Sequence, residues 1–268
     1  MPVNRVRLVA ACLALLVLAG SMVACASVDA PVCTVNAPPG GTPSTFDLTP
    51  EQASNAATIT AVGTTMGLPA HAATIALATA MQESKLVNLP GGDRDSIGLF
   101  QQRPSQGWGT PAQVSDPIYA ATAFYKRLAA LPNWENLPVT DAAQQVQRSG
   151  APEAYAQWEP LARAAASALT GQYPAGLTCS HLAVGPATAD LVTTATAELG
   201  TAVLSGPHPV DRGWAICGWL VAHASSVGVD QVSFAGRTWT AAAGVWAQST
   251  SPADVLSLHV VSRPPTTS

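Results

Sequence analysis

The residue of most chemical interest is Glu83. From Ala72 to Met81 the chain reads AATIALATAM, apolar or Ala/Thr on every side, and Gln82-Glu83-Ser84-Lys85 follows. A helix that is apolar all round belongs inside a domain. A carboxyl group in its last turn meets the negative end of the helix dipole. Dipole and partial burial both favour the protonated form and raise the pKa. A carboxylic acid kept neutral near working pH is what a general acid requires. The plainer alternative is a surface glutamate at a frayed helix end. Cys33, Cys179 and Cys217 show no Cys-x-x-Cys spacing, so neither a redox motif nor a zinc knuckle is indicated.

The elements that must position Glu83 follow from local rules. Thr49-Pro50-Glu51-Gln52 is a helix start, with Thr49 as N-cap, Pro50 at the first helical position and Gln52 completing a capping box. Ile59, Val62 and Met66 share a face, and Gly67 stops the helix. Pro69 opens the buried helix. Asp116-Pro117 starts another, Thr140–Arg148 predicts a short one, and Pro152–Leu169 a longer one that Pro160 should kink or split. Asn36–Ser44 and Tyr173–Pro186 read as linkers by composition. Beyond them, Thr188–Leu199 and Gly213–Val227 predict helices. Val229–Phe234 and Arg237–Thr240 predict strands around an Ala235-Gly236 turn, and Val255–Val261 a third strand. The expectation is an α+β protein: a mainly helical domain with a small β-hairpin insertion at 49–170, then a small α+β domain at 187–265, with linkers at 27–48 and 171–186.

With 268 residues, net charge −4 and only 10% charged residues, the chain lacks the basic face that nucleic acid requires. A hydrophobic fraction of 48% permits a substantial core. Residues 1–26 read as an export segment: Arg5 and Arg7 precede the apolar run Leu8–Gly20, and Ala24-Cys25-Ala26 offers a small-residue cleavage pattern. Met22-Val23-Ala24-Cys25 also resembles a bacterial lipobox, in which Cys25 is lipidated, and an uncleaved anchor is a third reading. All three place the remaining chain outside the cytoplasm, secreted or held at the outer face of the membrane, with membrane contact only through this segment.

After Glu83 comes Leu89–Gly109, LPGGDRDSIGLFQQRPSQGWG. Glu83-Ser84 followed by Ser96-x-Gly98-Leu99-Phe100-Gln101 resembles the lysozyme-like superfamily, especially soluble lytic transglycosylases and goose-type lysozymes, in an actinobacterial cell-wall branch. The resemblance covers about Thr49 to Thr170, under half the chain. It implies cleavage of β-1,4 glycosidic bonds between N-acetylmuramic acid and N-acetylglucosamine in peptidoglycan, with Glu83 as general acid and base. No cofactor or metal is expected, glycan strands are the partner, and a monomer is expected. Glycosidases commonly use two carboxylates. Lytic transglycosylases manage with one, because the 6-hydroxyl of the substrate closes an anhydro ring. Asp93 and Asp95 are the acids near enough in sequence to be a second carboxylate, although turn aspartates usually satisfy backbone groups. Ser84, Ser96, Gln101 and Gln102 are candidates for holding sugar hydroxyls or an N-acetyl group. Trp108 and Tyr155 could stack on sugar faces, though aromatics at such spacing are commonly core. Cys33 and Cys179 bracket this segment, and in an oxidising compartment their reading is a disulfide, with Cys217 a buried thiol.

A second resemblance covers Trp214–Trp239 and the final strand with Leu258-His259-Val260. It is to a domain of cell-wall hydrolases related to zinc D-Ala-D-Ala carboxypeptidases. His208 and Asp211 are too close together for that ligand pattern, and no acid precedes His259 at the expected base position. The second domain is therefore read as a remnant that binds no metal, and His259 as an ordinary strand residue. Such degeneracy keeps an alternative open: a non-catalytic peptidoglycan-binding or envelope-assembly lipoprotein on the same fold.

Overall fold

The computed structural model describes residues 29–40, 44–150 and 152–262. The stretch expected to be an export segment, residues 1–26 with Cys25, lies outside the described residues. The fold is α+β, helices packed with two antiparallel sheets. Among the described residues no helix is long and apolar enough to cross a membrane.

Strands β1 (Val32–Asn36) and β2 (Thr45–Leu48) form a hairpin, closed by Ala37 N–H donating to Ser44 O at 2.8 Å. Ala37 and Ser44, which make this closing bond, belong to the Pro/Gly-rich stretch expected as linker. On the other edge β1 pairs with β3 (Leu177–Ser180), giving the order β2-β1-β3. Cys33 faces Cys179 in this register, and the two are disulfide-bonded. The stretches read as linkers, 27–48 and 171–186, thus hold three strands. Their composition hides short alternating runs in which Cys33, Val35, Leu177 and Cys179 point inward.

Helix α1 (Pro50–Thr65) starts as its sequence dictates: Gln52 N–H donates to Thr49 Oγ1 at 3.2 Å and Thr49 N–H to Gln52 Oε1 at 2.8 Å. Gly67 follows its end with φ +75°. Helix α2 (Ala70–Ser84) is buried along Ala72–Met81. Around it pack α1, α4 (Pro117–Ala129), α5 (Val139–Gln147) and α6 (Glu159–Leu169), while the one-turn α3 (Pro111–Val114) supports α4. Asp116 caps α4, accepting from Tyr119 N–H at 2.7 Å. Pro160 splits the long predicted helix into a 3-10 stretch, Pro152–Trp158, and α6, where it sits in the first turn.

Between Leu89 and Gly109 the expected β-hairpin is minimal: Ile97 N–H donates to Gln102 O and Gln102 N–H to Ile97 O, both at 3.0 Å, across a four-residue turn. A single antiparallel bridge joins Ile97 and Gln102. Gly98, in that turn, donates from its N–H to Leu89 O at 2.8 Å and adopts φ +78°, with Val114 O 2.3 Å from where a Cβ would sit.

The second half contains α7 (Leu191–Leu199), capped by Asp190, then β4 (Gly206–Pro207), α8 (Val210–Ala222) and α9 (Ala224–Val227). A sheet follows from β5 (Val229–Phe234), β6 (Arg237–Thr240), β7 (Trp246–Gln248) and β8 (Val255–Val260), in the order β4-β8-β5-β6-β7. Ala235 and Gly236 both have positive φ, as a tight hairpin turn requires. A continuous apolar cluster runs through both halves. Polar ties cross the seam: Trp239 Nε1 donates to Cys179 O at 3.1 Å, Trp246 Nε1 to Leu177 O at 2.9 Å, and Thr65 Oγ1 to Glu198 O at 3.0 Å.

Candidate active site around Glu83

Helix α2 ends one residue after Glu83, where Lys85 and Leu86 adopt consecutive left-handed conformations, φ 57° and 58°. A bulky residue there is strained, and the surroundings hold it. Leu86 is fully buried, and α1 supplies donors to the exposed carbonyls: Gln52 Nε2 to Lys85 O and Asn55 Nδ2 to Leu86 O, both 2.8 Å. Ser84 is buried and its hydroxyl donates to Leu99 O at 2.7 Å, tying the helix end to the glycine-rich loop. Its hydroxyl is thereby committed to the loop backbone.

Glu83 itself is half-buried. Tyr155 donates to its Oε1 at 2.9 Å across 72 residues of sequence. The Gln147 side chain, at the end of α5, hydrogen-bonds it as well, while Gln147 Nε2 also donates to Phe100 O at 2.8 Å. Burial pushes the Glu83 carboxyl above its ordinary value. The bonds from Tyr155 and Gln147 and the nearby Lys85 charge pull the other way without cancelling it. Beside it, Gln82 Oε1 accepts from Trp158 Nε1 at 2.8 Å, and Lys85 Nζ lies 4.3 Å from the centre of the Trp158 ring. The outcome is a carboxyl group with fixed neighbours and a raised pKa, one able to give a proton and take it back.

The other expected residues are placed as follows. Asp95 accepts from Arg103 Nε at 2.8 Å, Ser105 N–H at 2.7 Å and Ser105 Oγ at 2.9 Å, and these donors hold its carboxyl far below the usual range. It serves the loop. Asp93 is exposed, 3.9 Å from Arg94. Gln101 and Ser96 come together over Gly92: a Cβ on Gly92 would lie 1.8 Å from Gln101 Oε1 and 3.4 Å from Ser96 Cβ. Gln102 is buried; its Nε2 donates to Ala120 O at 3.0 Å, and its Oε1 has no partner among the described residues. Tyr155 is buried, with no ring face free for a sugar, and acts on Glu83 through its hydroxyl. Trp108 is buried beneath Arg127, whose guanidinium lies 3.4 Å from the ring centre. Gln147, Trp158 and Gln82 were not foreseen. Gln147 sits in an ordinary amphipathic helix, and no local pattern marks it.

In the second half, His208 Nε2 is buried with no partner among the described residues. His259 lies in strand β8, as expected, and its Nδ1 is 2.6 Å from Asp230 Oδ1 on the neighbouring strand β5. Among the described residues no three His, Cys, Asp or Glu side chains converge as a metal-ligand set.

No protein-family model matches this chain, and no curated protein matches it.

Proposed function

We propose that this protein is an exported glycosidase that cleaves β-1,4 bonds in peptidoglycan, with Glu83 as general acid and base. The observation that carries this reading is the raised carboxyl at the end of a buried helix, oriented by Tyr155 and Gln147. Glu83 gives its proton to the leaving glycosidic oxygen while an oxocarbenium-like centre develops on the sugar. The resulting carboxylate is stabilised by the Tyr155 hydroxyl and the Gln147 amide. It then takes the proton of the attacking hydroxyl. Asp95, occupied by three donors, is poorly suited to position a water, which favours attack by the 6-hydroxyl of the substrate and an anhydro product. The resemblance of Glu83-Ser84 and Gly98-Leu99-Phe100-Gln101 to lytic transglycosylases supports the same assignment. The Cys33–Cys179 disulfide is compatible with an oxidising, extracytoplasmic location.

The test is digestion of purified sacculi followed by mass analysis of the soluble fragments. Wild-type protein should release anhydro-muropeptides. Glu83→Gln should lower release by at least about 100-fold, the usual scale for a general acid, with circular dichroism unchanged. Reducing-end fragments in place of anhydro fragments would assign a hydrolase. No release by the wild type between about pH 4 and pH 8, a range spanning ordinary and raised carboxyl values, would overturn catalysis and leave a wall-binding role.

A further inference from the structure

Next to the Glu83 site lies a cavity of about 550 Å³ that proton transfer by Glu83 does not use. It is bounded by the loop at Gln106 and Trp108, the end of α4 with Arg127 and Leu131, and the end of α5 with Gln147 and Arg148. Its volume lies in the range of small-ligand sites.

The charge in it is one-sided. Arg127 is fixed, stacked on Trp108 and donating from Nη2 to Gly107 O at 3.1 Å. Arg148 is exposed, at the left-handed residue that ends α5. Among the described residues no carboxylate forms an ion pair with either, whereas Arg103 and Arg163 each have one. The two are close enough to feel each other: burial first, and then the like charge of Arg148, pull Arg127 below its ordinary value. Two guanidinium groups that line one cavity and, among the described residues, pair with no carboxylate create a local positive potential in a chain of net charge −4. Guanidinium groups are suited to bidentate binding of a carboxylate. Gln147 connects this cavity to the chemistry, since it lines the cavity and also hydrogen-bonds Glu83. A group seated there is one side chain away from the acid.

We infer that the cavity between the ends of α4 and α5 binds a carboxylate branching from the glycan, with Arg127 and Arg148 as its ligands and Gln147 as the link to Glu83. This rests on the glycan-cleaving reading above. The carboxylate has two possible sources on such a strand: the lactyl group of a muramic residue without peptide, or the peptide attached to that group.

Binding to the Glu83→Gln protein, measured calorimetrically, separates them. Three ligands are compared: neutral chitotetraose, a peptide-free tetrasaccharide of alternating N-acetylglucosamine and N-acetylmuramic acid, and the same tetrasaccharide bearing peptides. At least one acidic ligand should bind about tenfold or more tightly than chitotetraose, the scale of one charge-assisted hydrogen bond, and the one that does identifies the source. Arg148→Gln should close that gap, and Arg148→Lys should restore part of it. Equal binding of neutral and acidic ligands, or a gap that persists in Arg148→Gln, would overturn the carboxylate site and leave the glycan reading standing. No binding of any of the three would overturn both.

Discussion

Glu83 and Asp95 show how environment assigns different roles to two carboxyl groups twelve residues apart in sequence. Burial raises Glu83 above its ordinary 4.5, so the folded state holds this proton more tightly than the unfolded chain does. The corresponding contribution to stability is fully present below 4.5 and is lost as pH rises through the folded value. Urea unfolding of wild type and Glu83→Gln between about pH 4 and pH 8 should therefore show the wild type losing ground as pH rises; parallel pH profiles would contradict the raised carboxyl. Activity should fall on the alkaline side for the same reason, as the acid form disappears. Asp95 has the opposite sign. Its carboxyl lies below the ordinary 3.8, so its contribution is present above 3.8 and is lost as pH falls further. Asp95→Asn should retain the product type while lowering the thermal midpoint and making the 93–107 loop more susceptible to protease. A switch of products on this substitution would place Asp95 in the chemistry after all.

At the scale of elements, the site depends on how α2 ends. Two left-handed residues turn the chain sharply, and donors from α1 and Ser84 hold that turn against its strain. The three-stranded sheet performs a similar task for the domain ends, drawing residues near 33 and near 179 into one register. The disulfide there closes a sequence separation of 146. Replacing both Cys33 and Cys179 by Ser should cost about 2–4 kcal/mol, read as a lower midpoint in denaturant. Peptide mapping of native protein should find Cys33 and Cys179 linked. Cys217, whose thiol is buried and pushed up in pKa, should react with alkylating reagent only after unfolding.

Across the whole molecule the two halves meet in backbone-to-backbone contact. Gly171, just past α6, has φ +79°, and a Cβ there would lie 1.9 Å from Asp211 O on α8. Gly171→Ala should destabilise by about 1–3 kcal/mol through forced separation of the helices, in addition to its backbone strain. Because one apolar cluster spans the seam, both halves should unfold together in this variant, monitored by tryptophan fluorescence and far-ultraviolet circular dichroism. Separate transitions for the two halves would show that the seam does not couple them.

The sequence by itself determined whatever depends on neighbours a few residues away. The caps at Thr49 and Asp116, the split at Pro160, the strands around Ala235-Gly236 and the buried helix ending at Glu83 all follow from local hydrogen bonding and side-chain periodicity. Tertiary structure decided the rest. Burial faces bring Tyr155 and Gln147 to Glu83, and strand pairing brings Asp230 to His259; no local pattern marks these partners. The strands at 32–36, 45–48 and 177–180 are too short to stand out against their Pro- and Gly-rich surroundings, and each is stabilised only by pairing with distant chain. Asp95 was legible as a turn aspartate, but its three donors depend on how the loop closes. A carboxyl group's type is written in the chain, whereas its proton affinity depends on what the fold packs around it.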